Sequence, residues 1–321
     1  MLDKKVLVTG GAGFIGSAIV KALNGYNEVD VLDDMSHASV ENLVGFCGNF
    51  YLDIEDVKLE DYDYIFHMGA SSSTSSTIQD VVQNNIKLTK RILSAPGKVI
   101  NASSASVYGN GPTPMTEEQE TRPQSPYAFS KAITDNLVLK ANKEGSKHLS
   151  LRFFNVYGPG ETHKLKSETS SPVAKAHVFF SGPETYRHSA GPEYGGFKSV
   201  WSPKLFHGSD EIFRNFVYID DVVSAALHLI PYDGIFNIGY TEPYSFEKVY
   251  QEVGGQMGRL FKPEYVDMPE KIKPAYQYYT NPCLKKLKST GFTPKYDLRS
   301  GVREYLKWAE EQNIHLNTTQ K

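Results

Sequence analysis

Short apolar runs and stretches of helical period take turns along the first half of the chain. Strands are predicted at 6–8, 29–33, 49–53, 64–67, 98–103 and 148–154, and helices at 14–23, 81–93 and 127–141. Strands separated by single helices pair in parallel, so the pattern predicts an α/β fold built on a doubly wound parallel sheet. After Tyr157 the periodicity stops. Residues 158–205 are rich in Gly, Pro, Ser and His and are expected to be irregular. Regular pattern returns as a strand at 216–219, a helix at 222–229 and a strand at 234–238. A helix after Ser245, an extended segment near Tyr265 and amphipathic helices at 282–289 and 300–311 follow.

The first strand runs straight into glycines at 10, 13 and 16. Gly10 and Gly13 let the backbone turn and approach a pyrophosphate, Gly16 lets the helix pack on the sheet, and the helix amides face the phosphates. A second apolar strand ends in Asp33, about 20 residues on, where a dinucleotide ribose needs a carboxylate acceptor. Strand, glycines, helix and acid together predict a Rossmann dinucleotide-binding domain over 1–165, with a return near 216–240, and a mainly substrate-binding domain over 166–321. Residues 33–39 offer two acids and no Arg or Lys for a 2′-phosphate, which favours NAD over NADP.

Tyrosine and lysine four apart share a helix face, and three such pairs occur: Tyr127/Lys131, Tyr194/Lys198 and Tyr244/Lys248. Only Tyr127 opens a helix beside the predicted strand ends of the dinucleotide lobe. Its phenol needs a neighbouring cation to act as a base near neutral pH, and Lys131 with a nicotinamide is expected to lower its pKa. Ser104, at the end of the strand over 98–103, can hold a substrate hydroxyl for it.

Composition narrows the field. The chain has 321 residues, 40% of them hydrophobic, a net charge of −3 with interleaved signs, and only Cys47 and Cys283. Nucleic acid and membrane are not expected as partners, and a reducing, cytoplasmic setting is. No apolar run approaches a bilayer span, and a strand starting by Lys5 leaves no room for a signal peptide. Lys285, Lys286 and Lys288 read as a solvated helix face. His67, His163, His177, His188 and His207 lack ligand spacing, so no metal is expected.

The motifs TGGAGFIG (9–16), SSASVYG (103–109), SPYAFSK (125–131), RFFNVYGP (152–159), RNFVYIDDV (214–222) and FNIG (236–239) together resemble the extended short-chain dehydrogenase/reductases. That group contains the nucleotide-sugar epimerases and dehydratases, and the resemblance covers nearly the whole chain. It implies that Phe14, Ile15, Asp53, Ile54, Gly69, Ala70 and Asn84 surround the dinucleotide and that Lys131 bonds its nicotinamide ribose. The 4,6-dehydratases carry Asp-Glu after the catalytic hydroxyl; here Ala105 and Ser106 stand there, and neither transfers protons at pH 7.

The run from Asn155 to Lys164 resembles the ADP-glycero-manno-heptose 6-epimerases, which implies a second acid/base at Lys164. The same resemblance implies that Asn155, Phe206, Ser209, Arg214 and Tyr276 join Ser104 and Lys164 at the substrate. The chain departs from that group at Met68, Gly160, His207 and 166–172, which bears on the sugar rather than the chemistry. The expected partners are a nucleotide-sugar and further copies of the chain in a homo-oligomer. Alternatives are a UDP-hexose 4-epimerase, a dehydrogenase or reductase with net turnover, and a non-catalytic NAD-sensing protein. The stretch 178–201 is longer than in the heptose enzymes and holds six aromatic residues, so a lid or subunit contact is expected there.

Overall fold

The computed structural model describes residues 2–71, 77–165, 169–182, 187–189, 199–270, 272–273 and 276–312. Its first half alternates as the pattern predicts: β1 (Lys5–Thr9), α1 (Phe14–Leu23), β2 (Glu28–Leu32), β3 (Phe50–Tyr51), β4 (Tyr64–His67), α2 (Ile78–Asp80), α3 (Leu88–Ile92), β5 (Lys98–Ser104), α4 (Pro126–Lys143), β6 (Leu149–Phe153) and β7 (Asn155–Tyr157). Between α2 and α3 the residues Val81–Lys87 form a π-helix, a wider turn than the plain helix expected there. Later come α5 (Pro172–Ser181), β8 (Arg187–Ser189), β9 (Ser199–Trp201), β10 (Lys204–Phe206), β11 (Phe213–Tyr218), α6 (Ile219–His228), β12 (Gly234–Ile238), β13 (Pro243–Ser245), α7 (Phe246–Gln256), β14 (Leu260–Phe261), β15 (Glu264–Val266), α8 (Lys285–Ser289) and α9 (Leu298–Glu311).

Seven parallel strands make the central sheet in the order β12-β6-β5-β4-β1-β2-β3. Chain order reverses between β1 and β4, and Thr9 pairs with His67 at that seam. Open α/β sheets bind ligands just beyond the strand ends at such a reversal. Both faces of the sheet are covered, and the alternation of β1 shows why its run is wholly apolar. Val6 and Val8 enter the large core shared with α1, α5, α6, α7 and α9, while Leu7 enters a second core with Leu32, Ile65, Ile92 and Val99. Smaller sheets, β13-β11-β7, β10-β15 and β14-β9-β8, lie outside it.

The expectation of an irregular 158–205 is corrected by α5. Ser171 accepts the Ala174 amide as its N-cap, Pro172 occupies the first turn, and Val173, Ala174, Ala176, His177 and Phe180 are buried. The cap and proline signals were present but were masked by the surrounding Gly and Ser. Most of the expected lid or subunit contact, residues 183–186 and 190–198, lies outside the described residues, as do Tyr194, Lys198 and the side chain of His188. At its end Trp201 is buried, and its ring centroid lies 5.7 Å from that of Phe179 and 5.8 Å from that of Phe180.

Two smaller expectations change. The helix expected from 282 starts at Lys285, because Pro282 bridges Met115 and the Cys283 amide donates to the Met115 carbonyl. Lys286 is not solvated with its neighbours; its ammonium donates to the Ile235 carbonyl and lies 4.5 Å over the Phe236 ring. No described helix is long and apolar enough to cross a membrane.

Candidate active site

A cleft of about 690 Å³ opens at the reversal of the sheet. Its floor is main chain. Gly10 has φ +64, and a Cβ there would come within 2.5 Å of the Gly69 nitrogen, so the loops after β1 and β4 close on each other. A Cβ on Gly16 would collide with the Gly10 carbonyl, which fixes α1 tightly behind the turn. Helices α4, α5, α7 and α9 each have a Ser or Asp side chain on a first-turn amide; α1 has Gly13 as N-cap and no side-chain cap. The first amides of α1, like those of α3, α6 and α8, have no side-chain cap, and at the glycine turn they can take an anion.

Asp33, buried at the end of β2, accepts the Ala12 amide on Oδ2 and the Met35 amide on Oδ1, each at 3.0 Å. Burial pushes its carboxyl pKa up and the two amides oppose this. Each oxygen retains a lone pair for a hydroxyl donor. Asp53 caps the turn Ile54–Asp56 through the Glu55 amide and, with Ile54, Gly69, Ala70 and Asn84, lines the cleft. Arg91, out of sight in a reading confined to 33–39, also reaches the cleft but is ion-paired with Glu55. These features fit a dinucleotide whose ribose meets a carboxylate.

Ser104, Tyr127, Lys131 and Lys164 line this same cleft, together with Gly10, Gly13, Phe14, Ile15, Gly16 and Asp33. Ser125 caps α4 through the Ala128 amide, which sets half-buried Tyr127 on its first turn and buried Lys131 one turn later. The Lys131 ammonium donates to the Ala102 carbonyl at 2.6 Å and lies 5.8 Å from the Tyr127 ring centre. Burial lowers its pKa to about 8 against the raising pull of Asp135. Burial pushes the Tyr127 phenol above its ordinary value and Ser104 pulls it down; the expected lowering rests on Lys131 together with a bound nicotinamide.

Lys164 sits in the 3₁₀ turn Thr162–Lys164, its ammonium 4.3 Å over the Phe14 ring and 3.9 Å from Glu161 Oε2. Burial lowers its pKa and Glu161 raises it. The remaining expected residues gather elsewhere. The Arg214 guanidinium lies 5.2 Å over Tyr276 and 5.6 Å over Phe246, and the Phe206 and Tyr276 ring centroids are 6.2 Å apart. Arg214 is buried, its pKa is lowered to about 10 by desolvation, and its Nη1 donates to the Phe213 carbonyl. Among the described residues no carboxylate pairs with it, and the buried Ser209 Oγ is partnerless. A buried cation without an anion is costly and suits an anionic ligand. Asn155 is half-buried on β7, in register with Phe216.

Sequence reasoning missed Asn85, one residue past Asn84. Asn85 Oδ1 accepts the Ser71 amide at 2.8 Å, and Nδ2 donates to Ser130 Oγ at 2.9 Å, which itself donates to the Tyr127 carbonyl. The π-turn aims adjacent asparagines differently, one to the cleft and one inward, and no helical pattern encodes that. His67 is locked neutral between Thr9 and Thr89, with its pKa pushed down to about 3 by burial and then by Lys131. Among the described residues no three His, Cys, Asp or Glu gather as metal ligands. Tyr244 and Lys248 are not in the cleft; Lys248 bonds Gln251 at the surface.

A sequence model of the NAD-dependent epimerase/dehydratase family matches residues 6–239. The chain belongs to this family. It is 35% identical to an ADP-L-glycero-D-manno-heptose-6-epimerase from Brachyspira hyodysenteriae, over 97% of this chain and 99% of that protein. Among solved structures it is similar to a UDP-N-acetylglucosamine 4-epimerase from Methanobrevibacter ruminantium M1, with 28% identity and a TM-score of 0.80 over 97% of this chain and 100% of that one. The ADP-L-glycero-D-manno-heptose-6-epimerase from Helicobacter pylori superposes with a TM-score of 0.77 and 29% identity, over 96% of each chain. This family member is an NAD-dependent enzyme, and the cleft described above fits that cofactor.

Proposed function

We propose that this enzyme is a nucleotide-sugar epimerase that inverts C6 of an ADP-heptose, with Tyr127 and Lys164 as its two acid/base groups. The observation that carries the reading is the sharing of one cleft by Tyr127 and the partly buried Lys164. Relatedness to heptose epimerases supports the same choice. NAD, when bound, supplies the hydride acceptor and donor. The chain's residues handle the proton and the orientation. Ser104 holds the C6 hydroxyl and Tyr127, as phenolate, takes its proton, with Lys131 adding positive charge behind the ring. After rotation about C5–C6 the carbonyl oxygen faces Lys164, whose ammonium donates the proton that completes the inverted alcohol. Arg214 suits the substrate pyrophosphate, since its planar fork bonds oxygens bidentately and no carboxylate among the described residues competes. Tyr276 and Phe206 frame it, and Asn155 and Ser209 offer polar contacts.

Lys164→Met is expected to stop epimerisation of ADP-heptose while exchange of label at C6 persists with one epimer and fails with the other. Equal loss with both epimers would assign Lys164 to binding. A UDP-hexose 4-epimerase is the second reading, supported by the structural likeness to a 4-epimerase. Turnover of UDP-galactose without turnover of ADP-heptose would replace the first reading by this one.

A further inference from the structure

Lys164 is held by one residue that the motif analysis did not single out. Glu161 is 1% exposed, and its carboxylate is fixed on three sides. Ser171 donates its amide to Oε2 at 2.9 Å and its hydroxyl to Oε1 at 2.5 Å, and the Gly158 amide bonds it too. The same Ser171 hydroxyl accepts the Ala174 amide as the cap of α5, so the carboxylate is anchored to the end of a packed helix. Its fourth neighbour is the Lys164 ammonium, 3.9 Å from Oε2 and clamped from the other side by the Phe14 ring at the start of α1.

We propose that Glu161 is the positioning residue for Lys164, holding its ammonium at the cleft wall and keeping it charged so that it can donate a proton. This rests on the acid/base reading of Lys164. A lysine taken from water tends to lose its proton, and an opposite charge within about 4–6 Å restores it by about 1–3 pK units. Burial and Glu161 pull Lys164 in those opposite directions. Among the described residues few other titratable groups face this pair. His163 precedes Lys164 in the turn, and its own pKa is lowered first by burial and then by Lys164. Tyr305 of α9 lies on the far side of Glu161 and bonds His177 of α5. Across the cleft are Asp33, Tyr127 and Lys131. Among these, Glu161 is the only acid identified as acting on Lys164.

The test is competitive acetylation of NAD-loaded protein with isotope-coded acetic anhydride across pH, read by mass spectrometry on the Lys164 peptide. It needs no sugar substrate, so a failed heptose assignment leaves it intact. In Glu161→Gln, which keeps the shape, can still accept the Ser171 amide on its carbonyl oxygen and can donate its NH2 to the Ser171 hydroxyl oxygen, the labelling midpoint of Lys164 should fall by about one pH unit or more. Glu161→Asp keeps a charge inside the fold but moves it one methylene away, and should give a smaller fall in the same direction. The midpoint of exposed Lys140 should stay constant in both. A purely structural Glu161 would lower melting temperature without moving the Lys164 midpoint, and an unmoved midpoint in both variants overturns the proposal.

Discussion

Around the glycine turn the cleft is made of main chain: amides of α1, the close approach of Gly10 to Gly69, and strand ends paired in a seven-stranded sheet. Lys164 at the cleft, and Arg214 and Tyr276 outside its lining, are instead side chains on short turns and small sheets, each held by one or two partners such as Glu161 or the Phe213 carbonyl. The first construction leaves little for a single substitution to alter. The second makes function depend on individual side chains, and there the family's sugars can diverge while the cofactor site stays the same.

The sharpest break of this contrast is Tyr127→Phe. The phenol group sits on the rigid cofactor side yet acts alone as proton acceptor, so its loss should lower kcat by about 10²-fold or more. NAD affinity and melting temperature should stay near wild type, and a residual rate above about a tenth would remove Tyr127 from the base role. Next in size is a matched pair. Arg214→Met should raise KM for the nucleotide-sugar by about 10- to 100-fold, the scale of a charged hydrogen bond, and leave NAD binding unchanged. Asp33→Ala should weaken NAD on the same scale and leave the sugar KM at saturating NAD unchanged. Cross-effects of similar size in both titrations would mean that the two halves are not separable.

The smallest effect concerns His67, which binds the seam of the sheet through Thr9 and Thr89. Its folded-state pKa lies below the unfolded value of 6.5, near 3. Below pH 6.5 the unfolded chain therefore takes up a proton that the fold refuses, and this part of stability is lost progressively as pH falls toward 3. The melting-temperature gap between wild type and His67→Gln should be widest above pH 6.5 and narrow on acidification. A constant gap between pH 7.5 and pH 5 would mean that His67 is charged within the fold.

The sequence by itself determined the parts whose physics is local. A short apolar run bounded by turn residues reads as a strand, Gly10 is needed where φ is positive, and Tyr127 and Lys131 share a face because a helix repeats every 3.6 residues. Those constraints act within about 20 residues and leave a visible pattern. Tertiary structure alone decided the rest, because contacts across long separations leave no period. It turned Lys131 to the Ala102 carbonyl and brought Ser104 and Tyr127 to one cleft. It brought Lys164 beside Phe14, and left Arg214 stacked on Tyr276 with no carboxylate among the described residues to pair with it. Each outcome depends on how much water the assembled fold excludes and which charges it places together, and neither quantity exists before the chain has closed on itself.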